Sequence, residues 1–212
     1  EVVFLIGKGN NGADGLSIAR HLRNMGHRCR AFMLFSKDEC NDLLLKQVNM
    51  ARAYGVSVNE IDNISQVEGY FEQMGHSVIV DALFGTGVQL PLSNFLYEII
   101  NYINDNAVLT VSVDVPSGVE GDSGRVQGNA IEADYTMAIG FPKLGHFVAN
   151  GAKHSGELFV LDIGIPKREK DLGDKFLLGP DCVSSLVGRR DKFADKKVYG
   201  HSLILGGSHG LI

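Results

Sequence analysis

The sequence predicts an α/β fold, a three-layer sandwich built on a mainly parallel central sheet. Three observations predict it. Short Val/Ile/Leu-rich runs alternate with stretches of helical period. The first run enters a Gly-x-Gly-x-x-Gly loop, Gly7 to Gly12, and leads into a helix. Twenty-six glycines against five prolines suit tight strand-to-helix turns.

The elements follow in order. Residues 2–6 read as a buried strand, because the run lacks both a basic flank and the ~18 residues of a membrane span. Leu16, Ala19, Leu22 and Met25 approximate helical spacing before Gly26 closes the helix. Residues 30–35 give a second strand, and Ser36 is the expected N-cap of a helix carrying Leu43, Leu44, Val48 and Ala51 to a stop at Gly55. Residues 56–61 give a third strand, after which Ser65-Gln66-Val67-Glu68 has capping-box spacing and opens a helix through Phe71 and Met74. Residues 77–83 form a buried strand with Asp81 near its end, and Leu96, Ile99, Ile100 and Ile103 mark the next helix. Residues 108–113 are a strand ending at Asp114. Stretches 135–139 and 157–163 complete the sheet with no long helix between them. This alternation implies helices on both faces of the sheet.

At 212 residues, 44% hydrophobic, the chain is long enough for one full core and the start of a second. A formal net charge of -5 gives no general attraction to nucleic acid or anionic lipid. Cys29, Cys40 and Cys182 are odd in number and lack a CxxC, so neither a disulfide framework nor a zinc site is expected, and a reducing, cytoplasmic setting fits best. Charged segments 167–171 and 189–197 mix signs and read as a solvated link. Residues 198–205 start a new strand meeting Gly206-Gly207-Ser208, so a second domain is expected to begin there. Opening inside one strand and stopping just after another, the chain is expected to be part of a longer protein.

A glycine loop between strand and helix can hold a pyrophosphate on backbone amides. No convincing ribose-reading acid follows the loop, because the second strand ends Met33-Leu34-Phe35-Ser36 and Asp38 comes late. Ordinary dinucleotide dehydrogenase chemistry is therefore poorly supported. Asn10-Asn11-Gly12-Ala13-Asp14-Gly15 crowds two amides and a carboxylate into one turn. Helix capping by an Asn and dipole complementation by Asp14 account for one or two of the three, not easily for all. Asp81 and Asp114 each end a Val-rich strand, and parallel strands bring such ends to one edge with the Asn loop, where open α/β sheets bind ligands. The donors there, with Ser117, are hard oxygens, which disfavours zinc, copper and Fe–S clusters. His21, His27, His76, His146, His154, His201 and His209 form no metal motif and read as mostly surface residues. Lys143, in a turn, is more often simply exposed than bound to phosphate.

Taken together, Gly7-Lys8-Gly9-Asn10-Asn11-Gly12-Ala13-Asp14-Gly15, Asp81-Ala82-Leu83-Phe84-Gly85-Thr86-Gly87, Val113-Asp114-Val115-Pro116-Ser117-Gly118 and Phe141-Pro142-Lys143-Leu144-Gly145 closely resemble the NAD(P)H-hydrate epimerase family, the YjeF N-terminal domain. The resemblance covers about residues 1–166. It implies a Rossmann-like domain that interconverts the R and S forms of 6-hydroxylated NADH or NADPH, with one bound potassium ion per subunit and often as a homo-oligomer. It further implies that Asn10, Asn11, Gly12, Ala13 and Asp14, with Gly85, Thr86, Gly87, Val88, Gln89, Leu90 and Pro91, line the nucleotide. Asn11, Asp81 and Ser117 would bind potassium, and Asp114 would contact the reacting hydrate. Asp114 is expected to be the principal acid/base residue, with Asp14 occupied by its loop and Asp81 by the cation. Ala13 stands where the family commonly has glycine, and the helical segment that normally precedes the first strand is absent. After a linker at 167–196, residues 197–212 look like the opening of a ribokinase-like, ADP/ATP-dependent NAD(P)H-hydrate dehydratase domain. A non-catalytic nucleotide- or protein-binding module of the same fold is the alternative, set against the retention of Asn11, Asp81, Asp114 and Ser117.

Overall fold

The structure, a computed structural model, describes residues 1–74, 77–166, 177–186, 193 and 203. The chain divides into two compact units, Glu1–Ile165 and Pro166–Ile212. In the first, strands β1 (Val2–Ile6), β2 (Cys29–Met33), β3 (Ser57–Glu60), β4 (Val78–Ala82), β5 (Leu109–Val113), β6 (Tyr135–Ile139) and β7 (Glu157–Leu161) form one sheet in the order β3-β2-β1-β4-β5-β6-β7. Every pairing is parallel. In the second unit the described helix is α6 (Pro180–Leu186). The expected linker is described only at 177–186 and 193, and the expected strand at 198–205 with its glycine turn lies outside the described residues apart from Leu203. None of the described helices is long and apolar enough to cross a membrane.

Alternation along the central strands builds the two cores. On β1, Phe4 and Ile6 face α1 (Asn10–Asn24) and α2 (Asp42–Ala53), where Leu16, Ala19, Leu44, Val48 and Ala51 cover them. Val3 and Leu5 face the other way, against α3 (Ile64–Met74) and α4 (Asn94–Asn106). Leu96, Ile99, Ile100 and Ile103 of α4 are buried there, and each contributes about 1.5–3 kcal/mol. Between β6 and β7 lie only a short 3-10 turn and the four-residue α5 (Gly151–His154). Strand β7 is one edge of the sheet, and its Phe159, Val160 and Leu161 are exposed.

Helix starts differ from the sequence expectation at three places. Ser36 does form a capping box, but with Glu39 on a single 3-10 turn, and α2 begins later under Asn41, whose Oδ1 accepts from the Leu44 amide at 2.8 Å. Ser65 lies inside α3. The cap comes from Asn63, which accepts from the Gln66 amide at 3.3 Å, while Gln66 Oε1 reaches back to the Asp62 amide. Helix α1 starts at Asn10 with Gly9 in the N-cap position and no side-chain cap, so neither Asn10 nor Asn11 serves as one. Both are then left for other work. On α2 Leu43 is exposed, and Leu44, Val48 and Ala51 carry the buried face.

Candidate active site

The strand order reverses direction between β1 and β4, because β1 hands on to β2 at one side and β4 to β5 at the other. Loops leaving these two carboxyl ends diverge and open a crevice. A cleft of ≈ 800 Å³ sits there. It is lined by Asn10, Asn11 and Asp14 from the first loop and helix, by Gly85, Thr86, Gly87, Gln89 and Pro91 after β4, and by Asp114 after β5. Four of the expected nucleotide residues lie off this lining. Gly12 is buried against the backbone, Ala13 packs in the core beside Leu16, and Val88 and Leu90 pack against the α3/α4 core.

The glycine loop is built for close packing as much as for ligand approach. A Cβ on Gly7 would sit 1.7 Å from the Leu83 carbonyl oxygen, and one on Gly12 would sit 2.2 Å from that of Gly7. A Cβ on Gly9 meets nothing within 4 Å. The turn thus presses the uncapped start of α1 against β4, and the first amides of the helix stay free of side-chain caps at the cleft. Asn10 Oδ1 accepts from Asn41 Nδ2 at 2.9 Å, which ties the start of α2 to this loop. Asn11 Nδ2 is buried with no hydrogen-bond partner among the described residues.

Asp81 is fully buried behind the loop rather than on the open cleft. Its register partner on β5 is Ser112, whose hydroxyl donates to Oδ2 at 2.8 Å. The Ser117 amide donates to the same oxygen at 2.8 Å, while the Ser117 hydroxyl and the Leu83 amide donate to Oδ1 at 2.5 and 3.3 Å. Ser117 Oγ in turn accepts from the Phe84 amide at 3.0 Å. Among the described residues, no cationic side chain pairs with Asp81. Desolvation pushes its pKa up, and the four hydrogen bonds pull the other way.

Asp114 is held in a left-handed backbone conformation, φ 69°, which costs a non-glycine residue of order 1–3 kcal/mol. The surroundings over-determine it. Its amide donates to the Met137 carbonyl at 2.9 Å, and its own carbonyl accepts from His146 Nε2, also at 2.9 Å. Because the Lys143 amide donates to His146 Nδ1 at 3.1 Å, the imidazole proton is on Nε2. Asp114 Oδ1 accepts from the Ile139 amide at 3.0 Å and from Lys143 Nζ, whose ammonium also donates to the Ile139 carbonyl. Oδ2 faces the Gly85 loop, 3.4 Å from where a Gly85 Cβ would sit.

These contacts reverse two sequence expectations. Asp114 is tethered at one oxygen rather than free, whereas no described hydrogen bond or ion pair occupies the Asp14 carboxylate. Lys143 and His146 are not surface residues: the first pairs with Asp114, and the second is buried. Both lie within the loop after β6, too far along the chain for spacing to show what they touch.

Burial lowers the His146 pKa below its ordinary 6.5, against the opposing hydrogen bond to the Asp114 carbonyl. Between the folded value and about 6.5, the unfolded chain binds a proton that the native chain refuses. Stability is therefore expected to fall as pH drops through about 6.5. His146→Gln, which keeps one acceptor and one donor, is expected to flatten that slope in melting temperatures taken from neutral to mildly acidic pH. An unchanged slope would place its source elsewhere.

Three further residues line the cleft: Lys8 and Phe84, inside the glycine-loop and Asp81 motifs, and Phe35, in none of them. Phe35 and Phe84 meet edge to face at 6.0 Å, and Lys8 Nζ lies 5.1 Å from the Phe35 ring. Phe35 stands just beyond β2, where a dinucleotide fold usually carries its ribose-reading acid. Of the three, only Phe35 depends wholly on the rule that loops at one sheet edge share a site.

The family of the YjeF-related protein N-terminus matches residues 1–145. The bifunctional NAD(P)H-hydrate repair enzyme of Thermofilum pendens is 41% identical over 95% of this chain and 38% of its own length. That of Moorella thermoacetica is 35% identical over 99% of this chain and 40% of its own length. The chain thus spans well under half of these two relatives. The NAD(P)H-hydrate epimerase of Weissella koreensis is 35% identical over 78% of this chain and 71% of its own length. The crystal structure of a yeast protein superposes with a TM-score of 0.66 at 26% identity, covering 79% of this chain and 68% of that one.

Proposed function

The chain belongs to the YjeF-related N-terminal family, and from that membership we propose that the unit Glu1–Ile165 is an NAD(P)H-hydrate epimerase acting on the R and S hydrates of NADH and NADPH. The observation that carries the reading is the Asp114 carboxylate, clamped at Oδ1 with Oδ2 presented to the cleft beside the amide-rich start of α1. Epimerisation at C6 of the hydrate needs a proton moved beside that carbon, and a carboxylate with one oxygen fixed and one open is placed to move it. The uncapped amides of α1, the open backbone at Gly87 and Lys8 suit the nucleotide phosphates. The Phe35–Phe84 wall suits a flat ring. A purely binding module would have no use for a clamped Asp114.

A monovalent cation, potassium, fits Asn11, Asp81 and Ser117. Asp81 is a buried carboxylate with no cationic partner among the described residues, and the other two donors are neutral, so the set matches a low-charge ion better than a divalent one. Exchanging the Asn11 amide oxygen and nitrogen would put an acceptor where Nδ2 now lies unsatisfied. When bound, the ion would supply positive charge that offsets Asp81 and steadies the loop over it. The whole protein is proposed to carry a fused NAD(P)H-hydrate dehydratase, as its bifunctional relatives do by name.

The test is epimerisation of resolved S and R hydrates with potassium present and after exchange for a bulky organic cation. Interconversion above the spontaneous rate, weakened by the exchange, is expected. Absence of interconversion in potassium would sink the epimerase reading, and indifference to the exchange would sink the cation.

A further inference from the structure

We propose that Asp14 is a second catalytic carboxylate, working on one face of the reacting carbon while Asp114 works on the other; this rests on the epimerase reading. Asp14 lies one helical turn after Asn11 on α1 and lines the same cleft as Asp114. Its carboxylate has no hydrogen-bond or ion-pair partner among the described residues. The two acids come from different walls. Asp14 follows β1 and Asp114 follows β5, with β4 between them in the sheet. The Gly85 loop after β4 lies against both sides: a Cβ there would be 3.4 Å from Asp114 Oδ2 and 3.6 Å from Asn11 Cγ. Two strand spacings of about 4.8 Å separate β1 from β5, which leaves room for a flat ring and a water between the acids.

The environment of Asp14 suits the proton donor. Asp14 is exposed at the cleft, and partial desolvation, then the Asp114 charge, raise its pKa, which favours its protonated form.

The step balances. Protonated Asp14 gives its proton to the C6 hydroxyl, the C6–O bond breaks and water leaves, while the N1 lone pair forms an N1=C6 iminium. A second water adds to the opposite face of C6, the iminium π pair returns to N1, and the extra proton of that water passes to the Asp114 carboxylate. One proton leaves Asp14 and one arrives at Asp114. The reverse reaction exchanges their roles, so the pair carries a single proton between turnovers.

The experiment uses the full chain, Asp14→Asn and Asp14→Glu, with resolved hydrates in oxygen-18 water. The parent protein is expected to place solvent oxygen at C6 in each inverted product. Asp14→Asn is expected to lose about 100-fold or more in kcat in both directions with KM changed by less than about threefold, and Asp14→Glu to recover part of the loss. Three results would overturn the proposal: kcat preserved in Asp14→Asn, a loss confined to KM, or inverted product that keeps its original oxygen. Inactivity of the parent protein would instead overturn the epimerase reading, which separates the two failures.

Discussion

Asp114→Asn is expected to lower turnover of both hydrates by about 10²-fold or more while leaving substrate binding largely intact. The Asn side chain can turn its oxygen towards the Ile139 amide and Lys143, the partners that now hold Oδ1. Its NH₂ then faces the cleft, so a donor replaces the proton acceptor. Asn tolerates the left-handed backbone at this position as well as Asp does, so the φ of 69° is no obstacle to folding. Steady-state kinetics on each hydrate, beside the melting temperature, check it. Near-normal kcat in the folded variant would remove Asp114 from the chemistry.

The second large effect is on stability. Gly7→Ala is expected to cost more than about 3 kcal/mol or to prevent folding, because its methyl would overlap the Leu83 carbonyl oxygen, 1.7 Å away. That oxygen belongs to the backbone just beyond β4, and the Gly7 amide is itself bonded to the Ala82 carbonyl at 3.0 Å, so neither side can yield. Gly9→Ala is the control. Its Cβ would meet open space, and only the weaker N-cap preference of alanine counts against it, about 1 kcal/mol. Chemical denaturation of the two variants measures the contrast. Equal losses would mean that the loop, not its contact with β4, sets the requirement for glycine.

The contrast also separates two meanings of one motif. Read along the chain, Gly7 and Gly9 are equivalent members of a phosphate loop. In three dimensions Gly7 and Gly12 are fixed by backbone contact, and only Gly9 lies open on the cleft wall. Spacing reports that a turn is tight, not which neighbour makes it so.

By itself the sequence determined the layered α/β architecture, the seven strands in their order along the chain and the shared edge where Asn11, Asp14, Gly85 and Asp114 meet. Each depends on local periodicity and on the rule that parallel strands end together. Element starts were less legible, since Ser36, Asn41, Asn63 and Ser65 are all competent caps and packing of the following helix chooses among them. Only the tertiary structure decided which carboxylate is engaged. Asp81 accepts from Ser112 and Ser117, more than 30 residues away, and Asp114 is held at its carboxylate by Lys143 and at its backbone carbonyl by His146, 29 and 32 residues on, while Asp14 keeps its oxygens for the cleft. The physical reason is that a carboxylate's role follows from the donors around it, and in a parallel sheet those donors arrive from neighbouring strands that chain distance does not reveal.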